Sequence, residues 1–482
     1  MNVTQYASYD ATGLAGLVAG GEVSPTELAK AAADAIEKVN PVLNAVVETY
    51  PDRIDELDEA TLGDGPFRGV PFLIKDVFGH EAGRRIDFGS RLCDGMVVDT
   101  SSYFVEGLEA AGVNILGRSH APEFSMSATT ETVLFGNCSN PWKQGYSAGG
   151  SSGGAQAAVT AGAVPIAHGS DIAGSIRIPA SWCGGVGLKP SRGRVSVGPT
   201  VDEAGFGFAV NLVQARTVRD VAGILDCVSA PRPGDCFVIP RPDRSYTSLI
   251  ETDAPRLRIG IVLDELSGAA NDPEVAAAVE ATGRALEDLG HSVEHAHADM
   301  GGIETLRAVV DLFFFAFDAR IEGYARQTGR PVGPDTLEPV ILNIYEHAKT
   351  ITPARFMQVL GVLNGARRKL AAFWNDHDIW LSPTTAQVAE PWGRYHLSRE
   401  GISVSDVSEV LFRAPTQYAF PHNLMGTPAM SLPLAMHSSG LPIGVQLAAG
   451  PAREHLLLQL AAALEKTMPW QDRVPPLHVS AL

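Results

Sequence analysis

The chain has 482 residues, 45% of them hydrophobic and 19% charged, a composition that fills a large buried core and excludes a disordered or fibrous protein. Its formal net charge of −18, without any basic cluster, argues against nucleic acid and anionic membrane surfaces as partners. Five cysteines (Cys93, Cys138, Cys183, Cys227 and Cys236) form no CxxC pair, which excludes the common zinc and dithiol patterns and fits reduced thiols in a cytoplasm.

Residues 1–10 are polar and show no basic segment followed by an apolar one, so no secretory leader is expected. Ser24 and Glu27 then form a capping box with Pro25 at the first helical position. Leu28, Ala32, Ala35, Ile36 and Val39 follow at helical spacing, and Asn40-Pro41 is expected to stop the helix. Residues 70–74 are apolar on both faces, as a central buried strand requires, and lead into Lys75 and Asp76. Residues 103–111 read as a helix closed by Gly112 before a strand at 113–116. Asp272 and Pro273 open another helix, whose Val275, Val279, Thr282, Leu286 and Leu289 share a face and which Gly290 ends. Further strands are predicted at 257–263, 379–381, 429–434 and 443–447. The longest apolar stretch, around 309–317, is broken by Asp311 and too short to span a bilayer, so no membrane partner is expected. Such alternation predicts an α/β protein with a mostly parallel or mixed sheet. No repeat or linker divides it, which predicts one domain over 1–482, with the Pro-rich segment 231–242 opening a candidate surface sub-domain of about 231–390.

Chemistry concentrates in one small-residue region: Gly149-Gly150-Ser151-Ser152-Gly153-Gly154, an alanine-rich stretch, then Gly169-Ser170-Asp171-Ile172-Ala173-Gly174-Ser175-Ile176-Arg177-Ile178-Pro179. Glycine and serine gather where backbone turns tightly or approaches a ligand. A serine oxygen becomes a nucleophile only beside a base. Lys75 is the candidate base, because burial in an apolar run disfavours its ammonium form. Two serines and a buried lysine read as acyl-transfer chemistry. Gly150 to Gly154 also satisfies the G-x-S-x-G elbow, yet that elbow needs a buried strand before it, and residues 140–148 are polar and turn-rich. No lysine follows a serine by three positions and no phosphate-binding P-loop occurs. His291, His295 and His297 alternate along a strand pattern and read as a solvated face rather than a metal site, and His168 as a packed residue. Phe313, Phe314 and Phe315 read as core, with one ring available to an acyl pocket.

The ordered glycine–serine region is similar to the signature of the amidase signature family. Pro122-Glu123-Phe124, Asn140-Pro141-Trp142, Gly187-Leu188-Lys189-Pro190, Asn423-x-x-Gly426-x-Pro428-Ala429 and Gly440-Leu441-Pro442-x-Gly444-Val445-Gln446 extend the likeness from about residue 10 to 470, around a signature core of about 67–190. In general features, including Ala173-Gly174-Ser175 where many relatives carry Gly-Gly-Ser, the chain resembles bacterial amidases of the 6-aminohexanoate-cyclic-dimer hydrolase type. The resemblance implies a single large twisted mixed β-sheet covered by α-helices on both faces. It implies Ser175 as nucleophile, Ser151 after a cis peptide bond as bridging serine, and Lys75 as base. The oxyanion hole would come from the backbone N–H groups of Ile172, Ala173, Gly174 and Ser175. Substrate contacts are expected from Ser125, Met126, Ser127, Gly149 and Gly150, with further walls at 313–317 and 384–387. Asp171 and Arg177 are expected as a structural pair shaping the nucleophile loop. No metal or organic cofactor is implied. The expected partner is a small amide or carbamate, with esters, urethanes and nylon-type oligoamides as further substrates, and a homodimer is left open. Two alternatives remain: a glutaminase subunit of a tRNA-dependent amidotransferase, whose members carry glutamine at the place of Ile178, and a silent binding protein, which would not need Lys75, Ser151 and Ser175 together.

Overall fold

The apolar run before Lys75 becomes a strand in which all five residues are buried, Pro71–Lys75, and the sheet is organised around it. The structure, a computed structural model, describes residues 1–201, 205–408 and 412–482. In chain order the strands are β1 (Val46–Thr49), β2 (Pro71–Lys75), β3 (Asn114–Ser119), β4 (Glu131–Thr132), β5 (Gly136–Asn137), β6 (Ile166–Asp171), β7 (Val186–Lys189), β8 (Val210–Ala215), β9 (Arg258–Ile261), β10 (Ser292–His295), β11 (Ile379–Pro383), β12 (Ala429–Met436) and β13 (Pro442–Ala449). β4 and β5 pair with each other, and the rest form one 11-stranded sheet in the order β1-β3-β2-β6-β8-β7-β12-β13-β11-β9-β10. The sheet is mixed. β3, β2 and β6 run parallel at one side and β11, β9 and β10 at the other, with antiparallel pairings from β6 through to β11 between them. Every residue of β2, β3, β6, β7, β8, β11 and β13 is buried, so both faces of the sheet are covered along these strands.

The caps read from sequence operate as expected. Ser24 and Glu27 close a reciprocal box at the helix Pro25–Leu43, and Asp272 caps Pro273–Asp288. Two expectations need correction. The helix Pro25–Leu43 runs past Asn40-Pro41 to a C-cap at Asn44, whose φ of 51° is left-handed. Pro41 lies in the last turn, and the Asn40 side chain accepts the Ala45 and Val46 N–H groups, each at 2.8 Å, to form the exit. Leu289 lies at the helix C-cap and is 38% exposed, while Val275, Val279, Thr282 and Leu286 are buried. Within the stretch 231–390, β9, β10 and β11 belong to the main sheet, whereas the helices Ile303–Phe314, Phe317–Thr328 and Pro339–Ala348 contribute to an apolar cluster with Phe124 and Ile178. Among the described residues no helix is long and apolar enough to cross a membrane.

Candidate active site

β2 and β6 are parallel neighbours, with Phe72 opposite Ile166 and Leu73 opposite Ala167, so their C-terminal ends reach the same edge. That edge carries Lys75 from β2 and Ser170 and Asp171 from β6. Two loops meet it, each feeding a helix: Gly149 to Ser152 before Gly153–Thr160, and Ile172 to Ile176 before Arg177–Cys183.

Lys75 is fully buried and donates through Nζ to Ser151 Oγ at 2.7 Å and to Ser170 Oγ at 2.8 Å. Burial pulls its amine down to about 7, opposed in part by the Asp171 carboxylate. Asp76 turns away, accepting the Asp87 and Gly89 N–H groups at 2.8 and 2.9 Å and pairing with Arg118. The neighbouring carboxylate therefore does not restore the lysine's charge. His168 is a packed residue. Its Nδ1 accepts the Lys75 backbone N–H at 3.3 Å, Nε2 faces Asn211 Oδ1 at 3.2 Å, and burial followed by the Lys75 charge pulls it down to about 3.

The Gly150–Ser151 peptide is cis. A Cβ on Gly150 would stand 2.6 Å from the Thr129 nitrogen, so the loop approaches residues 127–129 as only glycine allows. Thr130 Oγ1 ties the loop from both sides, donating to the Gly149 carbonyl at 2.9 Å and accepting the Gly153 N–H at 3.1 Å. Gly149 thus backs the loop and, contrary to expectation, does not line the pocket, whereas Gly150 does. Ser175 is 7% exposed and borders the pocket. Its carbonyl accepts the Ser152 N–H at 3.3 Å, which sets the two loops side by side, while its hydroxyl bonds to neither Ser151 nor another described residue.

Asp171 shapes the loop from Ile172 to Ile176. Its two oxygens accept the Gly174 N–H at 2.8 Å and the Ile176 N–H at 3.1 Å. The Gly174 N–H, expected as one of four oxyanion donors, is therefore engaged by Asp171 in this structure. Gly174 serves instead through a φ of 125°, with its missing Cβ making room for Ala419. The N–H groups of Ile172, Ala173 and Ser175 have no acceptor among the described residues, and these residues border the pocket. Burial raises the Asp171 carboxyl, but Arg177 more than offsets this and holds it well below the usual carboxylate range. Arg177 bonds to Asp171 at 3.0 and 2.9 Å, to the Ala419 carbonyl at 2.7 Å, to Gln446 at 2.9 Å and to Asn423 at 2.6 Å. Arg177→Ala leaves a buried carboxylate without its counter-charge and should cost about 3–5 kcal/mol of stability, read by chemical denaturation. A loss within about 0.5 kcal/mol, typical of a surface site, would refute the structural role.

Ser170, Asn423 and Gln446 receive no role from the sequence alone, although all three lie inside matched motifs. The pocket is walled by Ser125, Met126, Ser127, Gly150, Ile172, Ala173 and Ile178 on one side and by Leu306, Val309, Val310, Phe313 and Phe314 on the other, with Phe412, Thr416 and Phe420 alongside. Among the described residues no lining residue is charged. Of the expected walls, 384–387 and 315–317 are absent: Thr384 bonds to Ser431 at 2.8 Å, Thr385 donates to the Gln387 carbonyl at 2.7 Å, and Phe315 stacks on Phe356. His295 and His297 are 65% and 92% exposed, each beside one carboxylate, and no described cluster is arranged to hold a metal ion.

The family model for amidases matches residues 27–458. The chain is 39% identical to the 6-aminohexanoate-cyclic-dimer hydrolase of Pseudomonas sp. (strain NK87), over 97% of this chain and 96% of that protein. It is 33% identical to the acylamidase of Rhodococcus erythropolis, over 96% of each. The solved structure of 6-aminohexanoate cyclic dimer hydrolase superposes with a TM-score of 0.93 at 38% identity, covering 98% of this chain and 99% of that one. With its sheet, loops and full-length relatives in agreement, the chain belongs to the amidase signature family of amidohydrolases.

Proposed function

We propose that the protein hydrolyses the C–N bond of small uncharged or hydrophobic amides through an acyl-enzyme on Ser175, with Ser151 as proton shuttle and Lys75 as base. The observation that carries this reading is the 2.7 Å bond between buried Lys75 Nζ and Ser151 Oγ, beside the pocket that Ser175 borders. An amine pulled down to about 7 is largely neutral at slightly alkaline pH. Neutral, it keeps an N–H for Ser170 and turns its lone pair to the Ser151 hydroxyl. Ser151 passes its proton to Lys75 and takes the Ser175 proton as Oγ attacks the carbonyl carbon. Charge then gathers on the carbonyl oxygen, where the unengaged N–H groups of Ile172, Ala173 and Ser175 receive it. Collapse requires protonation of the leaving nitrogen, because an amide anion is a very poor leaving group, and Ser151 returns the proton. Water repeats the sequence on the acyl-enzyme. Apo hydroxyls that do not yet touch, as Ser151 and Ser175 here, are common before substrate aligns them.

The described lining, which is uncharged, favours neutral acyl groups over a glutamine substrate with its charged α-amino and α-carboxylate groups, and Ile178 in the wall adds to that preference. Carbamates, urethanes, esters and nylon-type oligoamides present the same acyl carbon and belong on the test panel. Turnover across matched anilides, aliphatic amides, carbamates and esters tests the reading, and absence of hydrolysis throughout would overturn it. Ser151→Ala should slow amides more than activated esters, by on the order of tenfold or more, since an alkoxide leaves with less proton help; each tenfold corresponds to about 1.4 kcal/mol. Equal losses on both would remove Ser151 from the shuttle.

A further inference from the structure

Behind the pocket wall lie two buried carboxyls that the acyl chemistry does not use. Glu123 is fully buried and accepts the Ser90 hydroxyl at 2.5 Å and the Glu338 N–H at 2.9 Å. Glu338, at the N-cap of Pro339–Ala348, accepts the Val133 N–H at 3.0 Å, and its second oxygen is buried with no hydrogen-bond partner among the described residues. The residues that follow Glu123 are unusual. Phe124 and Ser125 both adopt left-handed backbone, at φ 48° and 59°. Non-glycine residues there cost on the order of 1 kcal/mol or more each and persist only where surroundings fix them. Phe124 N–H donates to the Phe88 carbonyl and Ser125 N–H to the Pro122 carbonyl, both at 2.8 Å. The Phe124 ring packs on Phe88, Phe317 and Tyr324, and the Glu123 side chain adds ties to the Ser90 loop and to the helix at Glu338. The bend sets Ser125, Met126 and Ser127 into the pocket wall, and the Ser125 hydroxyl oxygen is buried without a partner among the described residues.

We infer that Glu123 is a positioning residue for substrate binding: through Ser90 and Glu338 it clamps the Phe124–Ser125 bend, and the clamp holds only while the Glu123–Glu338 pair carries fewer than two negative charges. This rests on the pocket's being the substrate site. Burial and repulsion from Glu338 raise the Glu123 carboxyl, and burial raises that of Glu338. Arg91 favours ionisation of both but is outweighed by burial. Glu131 faces Glu338 and disfavours it. The Cys93 thiol near Glu123 is pushed up by burial and stays neutral. His396 Nδ1 lies 3.6 Å from Glu338 but accepts the Ser398 N–H at 2.9 Å, so it offers the carboxyl no proton. Rising pH therefore forces a second charge into the pair, and repulsion loosens the wall while Lys75, Ser151 and Ser175 are untouched.

The test measures KM and kcat separately on one neutral amide across neutral to alkaline pH, in wild type, Glu123→Gln and Glu123→Ala. Wild-type KM should rise about tenfold with pH while kcat holds, the pattern of lost binding shared by ground and transition states. Glu123→Gln keeps the shape without the charge and should flatten that rise. Glu123→Ala should raise KM about tenfold at every pH; if it fails to fold, the Glu123→Gln profile decides. A flat wild-type KM, a wild-type rise retained in Glu123→Gln, or equal effects on kcat and KM would overturn the inference. A wild type that turns over no amide would instead overturn the proposed function.

Discussion

Ser175→Ala is expected to abolish both turnover and covalent labelling. No other pocket hydroxyl has a base bonded to it or to its relay among the described residues: Lys75 bonds to Ser151 and Ser170, Ser152 bonds to the Ser170 carbonyl, the Ser127 and Thr416 hydroxyls donate to backbone carbonyls, and the buried Ser125 hydroxyl makes no hydrogen bond. Loss of the nucleophile in a serine relay costs on the order of 10⁴ to 10⁶ in kcat. The variant should fold as the wild type does, because the Ser175 hydroxyl makes no hydrogen bond among the described residues and the carbonyl that accepts from Ser152 is unchanged. Intact-protein mass spectrometry after fluorophosphonate treatment gives a direct reading: one adduct on the wild type and none on Ser175→Ala. An adduct that persists in the variant would move the nucleophile elsewhere.

Local grammar made much of this architecture readable. The Pro71–Lys75 strand is apolar on both faces, and the two glycine–serine segments carry their spacing in the open. Less readable were β6, β7 and β8. β6 runs Ile-Ala-His-Gly-Ser-Asp, and those polar residues are tolerated in a buried strand because each finds a partner: His168 meets Asn211, Ser170 meets Lys75, and Asp171 meets Arg177. The bond from Asn423 to Asp171 crosses 252 positions of chain, and no local pattern announces such a pair. The same limit misplaced the pocket wall. Residues 306–314 reach the site through helix packing, whereas residues 384–387 are engaged with Ser431 and Trp182. Gly174 shows the limit at atomic scale, since no sequence pattern announces that its N–H bonds to Asp171.

Lys75 should set the acidic limb of kcat/KM. The amine is pulled down to about 7 by burial, with Asp171 opposing, so the neutral base fraction falls tenfold for each pH unit below that value. Wild-type kcat/KM should thus decline with a slope near one below about pH 6, and above its own titration Lys75 should impose no further limb, which leaves the alkaline side to the KM rise expected from Glu123. Lys75→Met, close in volume and never charged, should lose most activity and this limb together. Stability supplies an independent reading. The unfolded chain protonates this lysine below about 10.4, but the folded chain resists until pH falls to about 7. Between those values the unfolded state binds the extra proton, so the lysine's contribution to stability is fully present above the upper value and is lost as pH falls to the lower one. Each pH unit in that window is worth about 1.4 kcal/mol. Lys75→Met has no such window, so denaturation from pH 7 to 10 should show a flatter stability profile than wild type and a gain at pH 7, partly offset by the hydrogen bonds lost at Ser151 and Ser170. A variant that keeps the wild-type acidic limb would place the base at another group. With His168 pulled down to about 3 and its Nδ1 accepting the Lys75 N–H, that ring is already excluded from the role near neutral pH.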